Sequence, residues 1–290
     1  MHIRQRTLAS SVSCTGVGVH SGKTVTLSIH PAPVNHGIKF IRTDLLDSPG
    51  ISALFKMVVD TSLATVIGYE GFIVSTIEHL MAAFSGLSID NALVKIDAYE
   101  MPIMDGSAAP FTDLMLAAGI ESQNMPRSYF RVQKPIELDG QGKFVGIYPA
   151  DNYRITGTIE FDHPLIGRQS GTFDISEDQF AKQIGPARTF GFLDEYELLK
   201  RFGLARGGSL DNVIVIGEDK VMNPGGLRFP DEFLRHKILD CIGDFSLIGI
   251  PIIGHVVVEK SGHAFNHAFL EKFFDHKASW ETCTLVTGNT

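Results

Sequence analysis

Arg235-His236-Lys237-Ile238-Leu239-Asp240-Cys241-Ile242-Gly243-Asp244 is the stretch from which the rest of the chain can be read. As a helix it places His236, Asp240 and, with a slight drift, Asp244 on one face, because residues four apart stack. An imidazole and a carboxylate one turn apart can hold one divalent ion, and Zn²⁺ suits nitrogen and oxygen donors. The same pair on a surface helix is also an ordinary i,i+4 contact. Two other places favour the metal: Glu78-His79 on a second expected helix, and His263 in a Ser-Gly-His turn.

Composition narrows the classes. At 290 residues the chain fills one large or two small domains. A net charge of −8 argues against a nucleic-acid-binding surface. Cys14, Cys241 and Cys283 lie far apart with no CxxC, which points to reduced thiols, with neither a disulfide framework nor a cysteine zinc site. The opening Met-His-Ile-Arg-Gln-Arg-Thr has no apolar core of a signal peptide, and no apolar run approaches ~18 residues. A soluble cytoplasmic protein is expected.

Residues 3–42 alternate as strands broken by Ser21-Gly22 and by Pro31 and Pro33, and short strands fill 51–74. Ser75–Phe84 is then a helix stopped at Gly86, Asn91–Asp97 a strand, and Asp105–Ala118 a second helix ended by Gly119. In the second half, Ile147-Tyr148-Pro149-Ala150 echoes Ile29-His30-Pro31-Ala32 at an offset of 118. The helix begun by His236 ends near Gly249 and precedes strand Ile252–Glu259, much as that of His79 precedes Asn91–Asp97 at an offset of 157. A weak duplication accounts for both, with about 39 residues added between strand and helix in the second copy. Chance likeness of short strands is the competing account. The added segment carries Phe190 and Phe192, a helix Glu195–Phe202, Gly207-Gly208-Ser209 and strand Val213–Ile216, and reads as packed core or the wall of a binding passage. Gly140–Gly142 marks a hairpin, and Glu121–Ser128 is the expected linker between halves.

The candidate donors are His79, His236 and Asp240; three protein ligands leave a fourth position open, as in catalytic zinc sites. Glu78 has two readings. Ser75-Thr76-Ile77-Glu78 matches a capping box, with the glutamate bonding back to the helix start. Beside a metal ligand, the same carboxylate suits a general base. His263 is either a turn histidine or an imidazolium acid, and Asp244 would hold such an imidazolium protonated. Thr189 can offer a hydroxyl to an oxyanion. Lys237 points away from its neighbouring ligand, either to solvent or to a phosphate.

The blocks Ser75-Thr76-Ile77-Glu78-His79-Leu80, Pro102–Phe111, Ala187-Arg188-Thr189-Phe190-Gly191-Phe192, Leu227–Lys237 and Lys260-Ser261-Gly262-His263 resemble the UDP-3-O-acyl-N-acetylglucosamine deacetylase family, in order from about Thr7 to Trp280. That family comprises zinc enzymes of the committed step of lipid A synthesis in Gram-negative bacteria. The resemblance implies an α+β fold of two similar β-α-α-β halves, their helices packed between two mixed β-sheets, with a small βαβ-like passage element inserted in the second. The halves would be residues 1–124 and 125–290, and the insert about 185–216.

It further implies that His79, His236 and Asp240 hold one Zn²⁺ per chain, a set that Fe²⁺ also fits. Glu78 would be the general base for the attacking water, His263 with Asp244 the cationic acid, and Thr189 the aid at the oxyanion. Lys237 would meet the diphosphate and Phe161 the uracil. Leu63, Phe190, Phe192, Tyr196, Ala205, Ser209 and Leu210 would contact the rest of the substrate, chiefly its acyl chain. Tyr196 stands where relatives carry an aliphatic residue, which bears on chain length. The implied partner is a small-molecule UDP-sugar with an acyl chain, with no nucleic acid and no stable membrane insertion, and a monomer is expected. A deacetylase of another N-acetyl sugar and a lipid-binding module without catalysis are the alternatives.

Overall fold

The computed structural model of the chain describes residues 1–285. Its first half is a sheet in the spatial order Val12–Val17, Thr24–Pro31, Ala92–Ile96, Ile38–Arg42, Ile51–Ser52. The central Ala92–Ile96 runs antiparallel to Thr24–Pro31 and parallel to Ile38–Arg42. Alternation decides which face turns inward: Val25, Leu27 and Ile29 are fully buried, while Thr24 and Thr26, which alternate with them, are exposed.

The second half repeats the arrangement. Ile136–Gly140, Lys143–Tyr148, Ile252–Glu259, Tyr153–Glu160 and Arg168–Asp174 follow one another in space. Ile252–Glu259 is again antiparallel to the strand before it and parallel to the one after. Even the flanking strands correspond. Arg4–Leu8 pairs with Ile120–Pro126 in the first half, as Ser128–Val132 pairs with Trp280–Thr284 in the second. The α+β fold of two similar halves, expected from the sequence, is the one observed.

The helices are α1 (Glu78–Gly86), α2 (Ala109–Ala118), the single turn α3 (Glu177–Gln179), α4 (Leu193–Arg201), α5 (Glu232–Ser246) and α6 (His263–Asp275). In the two halves α1 and α5 occupy the same slot, just before the central strand. Both are buried on nearly every side, and α5 takes Glu232, His236, Asp240 and Asp244 into the interior with its apolar residues. Gly243 lets them meet: a Cβ there would lie 2.1 Å from the backbone oxygen of Glu78. No larger residue tolerates that approach.

Each half carries an insertion between its fifth strand and this helix. In the first, Val58–Asp60, Val66–Tyr69 and Phe72–Val74 form a small antiparallel sheet. In the second, Phe190–Phe192 and Ile214–Ile216 pair in parallel across α4, a βαβ unit. Two expectations are corrected. Glu121–Ser128 is no linker, because its amides are taken up by strand pairing with Arg4–Leu8, and the polar alternation there marks an exposed strand. The helix expected from Asp105 starts at Ala109, since Asp105 folds a turn by accepting from Ser107 N at 3.0 Å. No helix of the described residues is long and apolar enough to cross a membrane.

Candidate metal centre

Where α1 and α5 cross, His79, His236 and Asp240 converge, with one donor atom of each within 4.8 Å of the others. His79 Nε2 and His236 Nε2 lie 3.6 and 3.4 Å from Asp240 Oδ1. These separations exceed a good hydrogen bond. Ligands about 2.0–2.1 Å from a tetrahedral ion lie about 3.3–3.4 Å apart, so the donor set fits a metal such as zinc. The His236 Nδ1–H donates to the Ala187 carbonyl at 3.1 Å, which leaves the Nε2 lone pair facing the cluster. Burial pushes the pKa of His236 down to about 3, so the ring is neutral, the form that ligates. Burial works against the Asp240 charge, but neighbouring cations including Lys237, whose Nζ donates to Oδ2 at 2.9 Å, help hold its carboxyl well below the usual range.

Beside the donors stands an acid–base pair. The capping box read at Ser75–Glu78 does not form. Helix α1 begins only at Glu78, without a side-chain cap, because Thr76 takes a left-handed φ of 62° and Ser75 N bonds Tyr99 O. The Glu78 carboxylate is therefore free of capping and buried; its Oε2 accepts from Thr65 N at 3.1 Å, while Oε1 lies 3.9 Å from His263 Nε2. Burial raises its pKa, against the pull of the His263 charge.

His263 also departs from its expected turn, since it opens α6. Its Nδ1–H donates to Asp244 Oδ2 at 2.8 Å. Burial lowers the His263 pKa, but the Asp244 charge, this hydrogen bond and the Glu78 charge outweigh it, raising the value to about 10. The imidazolium is thus the resting form.

The second insertion brings aromatic rings to the same place. Phe190 lies 6.2 Å from the His236 ring and 5.6 Å from that of Phe161, and Phe192 lies 6.0 Å from Phe161. Lys237 Nζ sits 5.6 Å over Phe190 on a side chain 31% exposed. Thr189 is held by its backbone, donating to Gly106 O and accepting from Ile214 N, both at 2.8 Å, and its hydroxyl has no partner among the described residues. Tyr196, Ala205 and Ser209 bond within the insert: Tyr196 OH donates to Gly208 O at 3.1 Å, Ala205 O accepts from Gly208 N, and Ser209 N donates to Asn212 Oδ1; Leu210 O accepts from Asn223 Nδ2 at 2.7 Å. Leu210 is 44% exposed, and Leu63, on the first insertion two residues before Thr65, is 48% exposed.

Three residues escape a reading of the sequence. Thr65 joins the acid–base pair, because its amide holds Glu78 while its hydroxyl donates to Asp244 Oδ1 at 2.6 Å. Asn266, one turn along α6 from His263, donates to Asp244 Oδ2 at 2.8 Å. The spacing of Phe265, Phe269 and Phe273 signals that helix and places Asn266 with His263; a lone threonine carries no such signal. Glu232, fully buried, accepts from the Arg188 backbone and guanidinium, and so fixes the segment whose Ala187 carbonyl orients His236.

A cavity of about 600 Å³ lies at the other ends of α1 and α5, beside Gly86 and Ser246. Within its wall Arg127 pairs with Asp90 and His2 with Glu177, and it holds none of the donors.

Comparison with known proteins points the same way as the cluster. A family model described as UDP-3-O-acyl N-acetylglycosamine deacetylase matches residues 5–275. Curated proteins named UDP-3-O-acyl-N-acetylglucosamine deacetylase are similar over nearly all of the chain. That of Myxococcus xanthus is 51% identical, spanning 96% of this chain and 88% of that protein. That of Syntrophotalea carbinolica is 50% identical over 96% and 90% of the two chains, and that of Acidithiobacillus ferrooxidans 47% over 96% and 92%. With half of its residues identical along almost its whole length, the chain belongs to the UDP-3-O-acyl N-acetylglycosamine deacetylase family.

Proposed function

We propose that the protein hydrolyses the acetamide of UDP-3-O-acyl-N-acetylglucosamine to acetate and UDP-3-O-acyl-glucosamine, a step of lipid A synthesis, with one divalent ion held by His79, His236 and Asp240. The observation that carries this reading is the three-donor cluster set beside a buried carboxylate and an imidazolium 3.9 Å apart. When bound, Zn²⁺, or Fe²⁺ on the same donors, polarises a carbonyl and lowers the pKa of water towards about 7.

The chain's own residues do the proton work. Glu78, its pKa raised by burial, takes a proton from the attacking water; Thr65 N–H holds one oxygen so that the other faces the reacting centre. The water oxygen bonds the acetyl carbon, and the C–N bond then breaks. His263, kept protonated by Asp244, stabilises the developing oxyanion and gives a proton to the departing nitrogen. The unpartnered Thr189 hydroxyl donates to the same oxyanion.

Lys237 offers its ammonium to the diphosphate, and Phe161 packs on the uracil. Phe190, Phe192, Tyr196, Ala205, Ser209, Leu210 and Leu63 contact the sugar and its acyl chain, burial of which is worth ~0.8 kcal/mol per CH₂. Residues 1–124 and 125–290 act as two halves that each bring part of the site.

The test is acetate release from UDP-3-O-acyl-N-acetylglucosamine by purified protein, before and after chelation. Activity lost with chelator and restored by about one equivalent of zinc is expected. No acetate from zinc-loaded protein would overturn the assignment, and equal turnover of free N-acetylglucosamine would overturn the substrate.

A further inference from the structure

The insert exposes apolar side chains that the proposed chemistry does not use. Phe202 is 76% exposed and Leu198 53%, the former just past the end of α4 and the latter in its second turn. Leu198, Arg201 and Phe202 stand at i, i+3 and i+4, so they share one face. The opposite side faces the insert, where Tyr196 bonds Gly208.

Charge is segregated along the same helix. Asp194 and Glu195 fill its first turn, Lys200 and Arg201 its last. Arg206 folds back onto the chain after the helix, its guanidinium 2.7 Å from where a Gly203 Cβ would stand. Residues 185–228 carry six basic and six acidic side chains, so the net charge of −8 lies wholly elsewhere.

We infer that the C-terminal tip of α4, with Leu198 and Phe202 beside Arg201 and Arg206, docks on an anionic phospholipid bilayer. Two exposed apolar groups with cations beside them fit the headgroup boundary, where a ring and a leucine leave water while basic groups meet phosphates. The acidic remainder of the protein is repelled by the same surface, which orients the molecule tip first. With no membrane-crossing helix among the described residues, the attachment is peripheral and salt-sensitive. Its use rests on the proposed acylated substrate: Tyr196 and Gly208 belong to the same insert, so docking presents the acyl-binding residues to a surface that concentrates amphiphiles.

The experiment is co-sedimentation of the full chain with vesicles of phosphatidylethanolamine and phosphatidylglycerol, or of phosphatidylcholine alone, at about 50 and about 500 mM salt. The wild type binds the anionic vesicles at low salt only. Phe202→Glu and Arg201→Glu each weaken that binding about tenfold or more, yet keep wild-type acetate release from a short-chain soluble substrate, which shows that they fold. Failure of the wild type to bind anionic vesicles, or variants that bind as well as it does, overturns the proposal. So does light scattering in which the wild type is a dimer and Phe202→Glu a monomer, because the patch would then be a self-interface. Vesicle binding without any acetate release would instead refute the substrate reading alone.

Discussion

Replacing Gly243 by alanine sets two effects of opposite sign against each other. On helix propensity alone the change stabilises, by about 1 kcal/mol for an interior position. Packing says otherwise. The new methyl would lie 2.1 Å from the Glu78 carbonyl oxygen, 2.9 Å from its carbon and 3.1 Å from its Cα, all backbone atoms of α1 with no rotamer to yield. Ordinary contact needs about 3.4 Å or more, so α1 and α5 must part by roughly 1 Å. Overpacking of this kind costs about 1–3 kcal/mol, and a rigid backbone on both sides puts it at the upper end. The net loss is about 2 kcal/mol, a fall in Tm of about 3 °C for a chain of this size. The same displacement carries His79 away from Asp240, now 3.6 Å apart, and Glu78 away from His263. A shift of about 1 Å lowers kcat on the order of 100-fold. Calorimetry and zinc content after dialysis against a weak chelator test both halves of the argument. A variant with unchanged or higher Tm and full zinc would refute it, and the helix crossing would not be what sets the donor spacing.

Other consequences follow from single contacts. Glu78→Gln keeps an acceptor for Thr65 N–H but removes the base, so kcat should fall about 10²–10⁴-fold with zinc content unchanged; full activity would remove the base role. His263, with a pKa raised to about 10 from an unfolded value near 6.5, adds stability that is complete below about pH 6.5 and fades as pH rises through about 10. Asp244→Asn should flatten that decline in a denaturation series and move the alkaline limb of the rate profile to lower pH. An unmoved limb would mean that Asp244 does not hold the proton. Arg188→Ala leaves fully buried Glu232 without its countercharge, a loss of about 3–5 kcal/mol by urea denaturation. A loss under about 1 kcal/mol would mean that the backbone amides of Arg188 and Arg228 suffice.

What the sequence disclosed tracks how local each signal is. His236 and Asp240 could be paired because the i,i+4 spacing is a property of one helix, and Ile252–Glu259 was delimited by its own apolar run. The repeat of Ile29-His30-Pro31 at Ile147-Tyr148-Pro149 anticipated two sheets of one topology. Glu78 shows the limit: its capping motif is locally sound, yet the left-handed turn at Thr76 breaks it, next to Ser75 whose amide bonds Tyr99 O, in the bend after the central strand. Thr65 was illegible for the same reason. Its importance lies in touching Glu78 and Asp244, residues 13 and 179 positions away.

The duplication also explains why the cluster is asymmetric although the fold is not. Helices α1 and α5 hold equivalent slots, yet the first residue of α1, Glu78, meets α5 near its far end, at Gly243. Their contributions differ in depth. From α1 come Glu78 and His79, its first two residues, whereas α5 supplies His236, Asp240 and Asp244, each a turn further on. The insertions divide the work in the same way: the first places Thr65 under Glu78 and Asp244, and the second brings the aromatic run and the carbonyl that orients His236. Neither half holds two imidazoles and a carboxylate alone, since His79 lies in one and His236 and Asp240 in the other. A metal bound here would tie the halves together, so its removal should loosen their packing as well as stop any reaction.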